Sequence, residues 1–187
     1  MTKDEALTLL KQYLKNENLI KHCIASGAVM SALAEKLGQD KDLWQAAGIL
    51  HDIDLEIVNG DFSVHGIKAG EILKDSLPQE AIAAIAAHNE LSSAPPRSTM
   101  FEHALACAET ITGLITATSY VYPDKNIASV KPKSIVKRMK EKAFAASVNR
   151  EAIRECEKLG ISLDDFAALA LEAMQNQQKS EESTLHS

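Results

Sequence analysis

A chain of 187 residues with 45 % hydrophobic and 25 % charged residues has the apolar content of one packed domain and excludes a disordered or fibrous class. The formal net charge of -6 disfavours nucleic acid as a partner held by the whole surface. The longest apolar run, Ala81 to Ala87, is far below the ~20 residues of a membrane span, so a cytoplasmic protein without a membrane partner is expected.

In chain order the elements read as helices. Thr2 and Glu5 have the spacing of a capping box and predict a helix over 2–15. The helix predicted over 18–37 carries one stripe of Leu19, His22, Ser26, Val29 and Leu33 and another of Ile20, Ile24, Gly27, Met30 and Leu37. A helix apolar on most of its circumference belongs in the middle of a bundle. The next, over 40–51, runs through Ile49 and Leu50 straight into His51 and Asp52. Beyond "NGDFS" (59–63) come helices over 64–76 and 79–89, and beyond "SSAPPRS" (92–98) a second capping box, Thr99 and Glu102, opens a helix over 99–118. After "VYPDKN" (121–126) helices are predicted over 133–145, 149–159 and 163–177, the last introduced by Ser162 and Asp165.

No stretch alternates as a strand does, aromatic residues make up 4 %, and Ala and Leu are abundant, which favours helix. The expected fold is all-α, a single-domain helical bundle over 1–175 followed by a disordered tail over 176–187. Cys23, Cys107 and Cys156, odd in number and within helical patterns, read as buried thiols of a reducing compartment.

Charge is concentrated. Eight of the 20 Lys and Arg lie between Lys125 and Arg150, where Glu141 is the only acid, so this segment carries about +7 and the remainder about -13. Most of these lysines read as a solvated face. The cations best suited to meet an anionic ligand are Lys125, Lys133, Lys142, Arg150 and, in the loop after His88, Arg97, with the two arginines preferred for bidentate phosphate contact.

Of six histidines, four point inward from different helices. His22 lies on the apolar stripe above; His51 closes the helix of Trp44 and Ala47; His65 shares a face with Ala69, Ile72 and Leu73; His88 lies on the side of Ala81 and Ile85. His103 and His186 carry no assigned role. One inward histidine is ordinarily a core imidazole bonded to a carbonyl. Burying four without partners would cost roughly 1–3 kcal/mol each. A metal removes that cost, because imidazoles and a carboxylate are its ligands, and the two oxygens of Asp52 can bind two ions at once.

These residues resemble the HD superfamily of metal-dependent phosphohydrolases: His22, the doublet His51-Asp52 and a late acid follow its order. His65 and His88 match the members that bind two metals, among them symmetrical diadenosine tetraphosphate hydrolases, cyclic-di-GMP phosphodiesterases with an HD-GYP domain and myo-inositol oxygenases. "AGILHDID", "HG…AGEIL", "AIAAHNE" and "AETITGLITA" look like the short bacterial HD-domain proteins, from His22 to about Thr118. The metal-site core is accordingly expected across 18–118 and the basic helices across 125–175. "SVKPKSIVKRMKEKAFAASVNRE" also looks like the C-terminal half of a small HD subfamily.

The resemblance implies one ion held by His22, His51, Asp52 and Glu109, and a second held by His65 and His88 with Asp52 bridging. It further implies catalysis at His51-Asp52 by a metal-activated water attacking phosphorus, on a small phosphorylated substrate, nucleotides among them. Nitrogen-rich ligation suits Mn, Fe, Ni, Co or Zn better than Mg alone. The chain departs from the family in one place: the last ligand is usually Asp within "AD", and here Glu109 stands in "CAETITGLITA", with Glu102 as a weaker substitute. Asp54 and Glu56 read either as groups that orient ligand histidines or as surface acids after a helix end. A non-catalytic metal or nucleotide sensor and a di-iron oxygenase on the same scaffold are the competing functions.

Overall fold

The computed structural model describes residues 1–185, and among them there is no β-strand. The α-helices are α1 (Lys3–Tyr13), α2 (Glu17–Leu37), α3 (Lys41–Leu50), α4 (Leu55–Val58), α5 (Ile67–Leu73), α6 (Gln79–His88), α7 (Met100–Ser119), α8 (Pro132–Met139), α9 (Arg150–Arg154) and α10 (Leu163–Leu185). Single 3₁₀ turns follow at Ile127–Ser129 and Glu155–Leu159. The all-α expectation holds. The helix starts follow their capping residues: both capping boxes form, at Thr2 with Glu5 and at Thr99 with Glu102, and Ser162 Oγ accepts from the Asp165 amide at 3.1 Å. No helix of the described residues is long and apolar enough to cross a membrane.

α2 and α7 form the centre, packed on each other, with α3 and α10 against α2 and α6 against α7. The α2–α3 crossing is set by two glycines. A Cβ on Gly48 would lie 2.8 Å from Gly27 Cα and 2.8 Å from Ser26 O, closer than carbon atoms approach. This contact draws the end of α3, which carries His51, onto the turn of α2 that carries His22. Gly48→Ala should therefore force the helices apart, at a cost of about 1–3 kcal/mol in unfolding free energy, read by urea denaturation. On the far side of α3, Trp44 stacks on Phe101 of α7 with ring centroids 4.9 Å apart, fixing α3 between the two central helices.

Two stretches differ from the pattern read in the sequence. The helix expected over 133–145 stops at Met139, because the turns after it are wrapped around Arg150. The Arg150 guanidinium donates to the carbonyls of Glu141, Phe144, Ala145 and Val148, at 2.6 Å for Ala145 and 2.8 Å for Val148. The tail expected from 176 is helical as far as Leu185, where Gln177 and Gln178 each donate one turn onward to Glu181 and Glu182 at 2.9 Å. Residues 186–187, including His186, lie outside the described residues.

Candidate metal centre

Leu50 ends α3 inside the core, and the chain turns there without reaching solvent. The amide of Ile53 bonds back to Leu50 O at 3.1 Å and that of Leu55 to Asp52 O at 3.0 Å. His51, Asp52, Ile53 and Asp54 are all buried in consequence. The tight turn separates their side chains: Ile53 packs in the core, Asp52 faces α2, α6 and α7, and Asp54 faces the start of α5.

Around Asp52 the four histidines converge in two pairs. Asp52 Oδ2 lies 3.4 Å from His51 Nε2 and 3.6 Å from His22 Nε2. Asp52 Oδ1 lies 3.2 Å from His65 Nε2 and 3.5 Å from His88 Nε2. Within each pair the Nε2 atoms are 3.2 Å apart. Glu109 reaches the first pair from α7, with Oε2 3.9 Å from His22 Nε2 and Oε1 accepting from Thr110 Oγ1. His22 and Glu109 are the two members with appreciable exposure, 26 % and 20 % of their side chains.

The other ring nitrogen of each histidine is committed. His51 Nδ1 donates to Gly48 O at 2.8 Å, His88 Nδ1 to Ile85 O at 2.5 Å and His65 Nδ1 to Asp54 Oδ1 at 2.8 Å. His22 Nδ1 meets Thr112 Oγ1 at 2.9 Å, and since that hydroxyl gives its own hydrogen to Glu109 O at 2.6 Å, it accepts from the ring. With every Nδ1 protonated, it is Nε2 that each ring, when neutral, presents as a lone pair toward Asp52.

Two lone-pair nitrogens 3.2 Å apart repel unless a cation or a proton lies between them. Ligand atoms each about 2.1 Å from one ion, at near-tetrahedral angles, are themselves about 3.2–3.5 Å apart, so the spacing fits shared ions. Burial lowers the pKa of His51 to about 3, aided by His88 and His22 and opposed by Asp52, which keeps that imidazole neutral. Burial pushes Asp52 up, but the surrounding histidines outweigh it and hold the carboxyl well below the usual range. His65 is likewise lowered by burial and raised further by Asp52 and Asp54, to about 9. Burial raises Glu109.

Some residues here escaped the sequence reading. Thr112 stands one turn after Glu109 and holds the His22 ring, a role its spacing alone could have suggested. Cys23, read as a plain core thiol, has Sγ within 4.8 Å of ligand atoms of His51 and Asp52. Of the two acids left open, Asp54 holds the His65 ring and Glu56 meets no histidine: Glu56 Oε1 accepts from the amides of Lys15 and Asn16 at 3.0 and 2.7 Å, tying the α1–α2 connection. Glu102, the weaker substitute for Glu109, caps α7 with Oε2 2.8 Å from the Thr99 amide, away from the histidines.

The cations picked for phosphate contact are not gathered at the centre. Arg97 donates to both oxygens of Glu155, to Glu90 Oε1 at 2.5 Å and to Ala87 O at 2.9 Å, beside His88. Arg150 is spent on backbone carbonyls, while Lys125, Lys133 and Lys142 are exposed on the outside of the C-terminal helices and turns. His103 joins the Arg97 cluster, with Nδ1 2.6 Å from Glu155 Oε2.

Burial pushes the Glu155 carboxyl up, but hydrogen bonds from Arg97 and His103 and the charge of Arg97 bring it below the usual range. A depressed carboxyl adds stability that is complete above its unfolded value of about 4.3 and is lost as pH falls through the folded value. Glu155→Gln should lower the melting temperature at neutral pH and flatten its fall between neutral pH and about pH 3, measured by thermal scans across that range.

Compared with known proteins, residues 19–121 match a family described as HD domain. The chain is 28 % identical over 118 residues to Ribonuclease Y of Fusobacterium nucleatum subsp. nucleatum. That alignment covers 61 % of this chain and 23 % of the relative, so the chain spans about a quarter of the length of this curated relative.

Proposed function

This chain belongs to the HD-domain family, a superfamily of metal-dependent phosphohydrolases, and from that premise we propose that it is a binuclear phosphohydrolase acting on a small phosphoester or phosphoanhydride. His22, His51, Asp52 and Glu109 would hold one divalent ion, and His65 and His88 a second, with Asp52 shared. Bound ions of this kind supply Lewis acidity for making a nucleophile from water near neutral pH and for neutralising charge on phosphoryl oxygens.

The observation that carries this reading is the division of Asp52: each oxygen faces its own pair of imidazoles. A single-ion site needs one oxygen of a carboxylate, and a hydrogen-bonded core aspartate needs an N–H donor on each oxygen: His65, raised to about 9, can donate to Oδ1 in the absence of metal, whereas the neutral His51 Nε2 beside Oδ2 cannot donate. The chain's own contribution is orientation. Gly48 O, Ile85 O, Asp54 and Thr112 each fix one ring in the tautomer that presents Nε2, as ligating histidines require. The likeness to a protein named as a ribonuclease keeps a phosphodiester bond within the proposed substrate class.

Protein purified without chelator should carry transition metal, and metal analysis should find close to two ions per chain. A panel of phosphoesters assayed with Mn, Co and Ni should then show turnover that chelation abolishes. Two bound ions with no turnover on any ester would favour a sensor, and Glu109, whose Oε2 stands 3.9 Å from His22 Nε2, is the feature that such an outcome would turn attention to.

A further inference from the structure

Asn89 follows His88 directly, as the half-buried residue that ends α6. Its amide nitrogen donates twice to the segment that carries the other histidine of the same pair, to Phe62 O at 2.6 Å and to His65 O at 3.1 Å. Its Oδ1 accepts from the Leu91 amide at 3.0 Å and closes the turn after the helix. One side chain thus joins the two segments from which His65 and His88 approach Asp52 Oδ1.

The segment on the far side of this bridge has little else to hold it. Residues 59–64 are all exposed, and they open with Asn59 at φ 46° and Gly60 at φ 86°. Among the described residues, their other hydrogen bonds stay within four positions along the chain: Asp61 to Val58, Phe62 to Gly60, Ser63 and Val64 to Asp61, and Lys68 to Val64. An exposed stretch with only local bonds opens at low free energy, and this one leads straight into His65. Asp54 holds the His65 ring and the amides that follow it, whereas Asn89 holds the carbonyls of Phe62 and of His65 itself. The near side of the bridge is firm. Ser92 Oγ donates to Asn89 O at 2.9 Å, with Ala86 O also within 3.1 Å, and Arg97 donates to Ala87 O. Glu90 is held by Arg97 at 2.5 Å and by Asn149 Nδ2 at 2.9 Å.

We propose that Asn89 is a positioning residue of the second metal site, an assignment that rests on the binuclear reading above. It clamps the main chain at His65 to the end of α6, so that the His65–His88 pair keeps its spacing before an ion binds. Ligands held in place in advance lose less freedom on closing around an ion, so the clamp is expressed as affinity. The effect is confined to one pair. His22 stands on α2, His51 at the end of α3 and Glu109 on α7, and none of these elements is held by the Asn89 side chain.

The test is titration of the metal-stripped full chain with Mn²⁺, followed by calorimetry and by electron paramagnetic resonance, which separates an isolated Mn²⁺ from a coupled pair. Asn89→Ser keeps an oxygen for the Leu91 amide and is too short to reach Phe62 O. It should bind the second ion about tenfold more weakly, as when a ligand histidine loses an outer partner, and the first ion as the wild type does. At the lowest Mn²⁺ concentration that fills both wild-type sites, the coupled signal of this variant should be reduced. Ser92→Ala loosens the same turn without touching the His65 segment and should keep both affinities; circular dichroism checks that the two variants fold. An Asn89→Ser variant that keeps both affinities, or loses both alike, would overturn the clamp. So would a Ser92→Ala variant that loses the second ion to the same extent, since the turn would then be what matters. A wild type that binds fewer than two ions ends the binuclear reading and this assignment with it, so the two failures are read from different proteins.

Discussion

Asp52→Asn should abolish the rise in melting temperature that Mn²⁺ gives the wild type and lower phosphoester hydrolysis by at least about a thousandfold. Asparagine has the shape of aspartate but one carbonyl oxygen, no charge and an amide nitrogen whose hydrogens point where the second oxygen was. Whichever way the amide turns, one histidine pair loses its carboxylate oxygen and faces a donor. The pair left with the carbonyl keeps a weaker, neutral ligand. Because the substitution conserves volume in a fully packed turn, the helices should assemble as before. Ligand binding to the native state adds RT ln(1 + [L]/Kd), about 2.7 kcal/mol at a hundredfold excess over Kd, and this increment should vanish. Loss of several kcal/mol of Lewis-acid stabilisation corresponds to the thousandfold figure. Metal analysis, thermal scans with and without Mn²⁺, and initial rates measure the three effects. A metal-loaded variant within about tenfold of the wild type would mean that a single oxygen of Asp52 suffices, and the shared-carboxylate reading would fall.

The contrast between Asp52 and Arg97 shows which parts of this centre a sequence can disclose. The inward histidines were readable because helical periodicity alone assigns a face: His22 travels with Val29 and Leu33, and His88 with Ala81 and Ile85. That four inward faces meet at one point is a tertiary fact, and only the resemblance to a family supplied it in advance. Arg97 was picked from its position in a loop near His88 and from its chemistry. Its actual partner, Glu155, is 58 positions away, and nothing local distinguishes an arginine that will meet phosphate from one that will meet a carboxylate. Arg150 is similar: the four carbonyls it gathers exist as a cluster only because the chain bends there, and the same bend ends α8 six residues short of the end the apolar spacing predicted. The extension of α10 past 176 rests on polar Gln–Glu pairs, which a search for apolar periodicity does not weigh. Elements with an apolar face were legible in their type and roughly in their bounds. Contacts between charged side chains and backbone were not.

Asp54 shows how far an orienting residue can matter without touching a metal. It is fully buried, and three N–H groups converge on it: His65 Nδ1 at 2.8 Å on Oδ1, and the amides of Gly66 at 2.8 Å and Ala69 at 2.9 Å on Oδ2. The two amides belong to the start of α5, where Gly66, at φ 86°, turns the chain so tightly that an added Cβ would lie 2.9 Å from Ile85 O. One carboxylate therefore fixes the entry of α5, the approach of α5 to α6 and the orientation of the His65 ring. Asp54→Ala should leave these donors without an acceptor, at about 1–3 kcal/mol for each one that stays dry, so a loss of about 3–5 kcal/mol in unfolding free energy is expected by urea denaturation. In the fraction that folds, Mn²⁺ affinity at the His65–His88 site should fall about 10- to 100-fold, because the ring loses both its tautomer and its aim. Asp54→Asn keeps one acceptor oxygen and should fall between the two. The metal titration separates scaffold from site. If Asp54→Ala loses stability while both Mn²⁺ affinities stay at the wild-type values, Asp54 only caps α5, and the orientation of His65 must come from Phe62, whose ring packs edge-on against it at 6.0 Å.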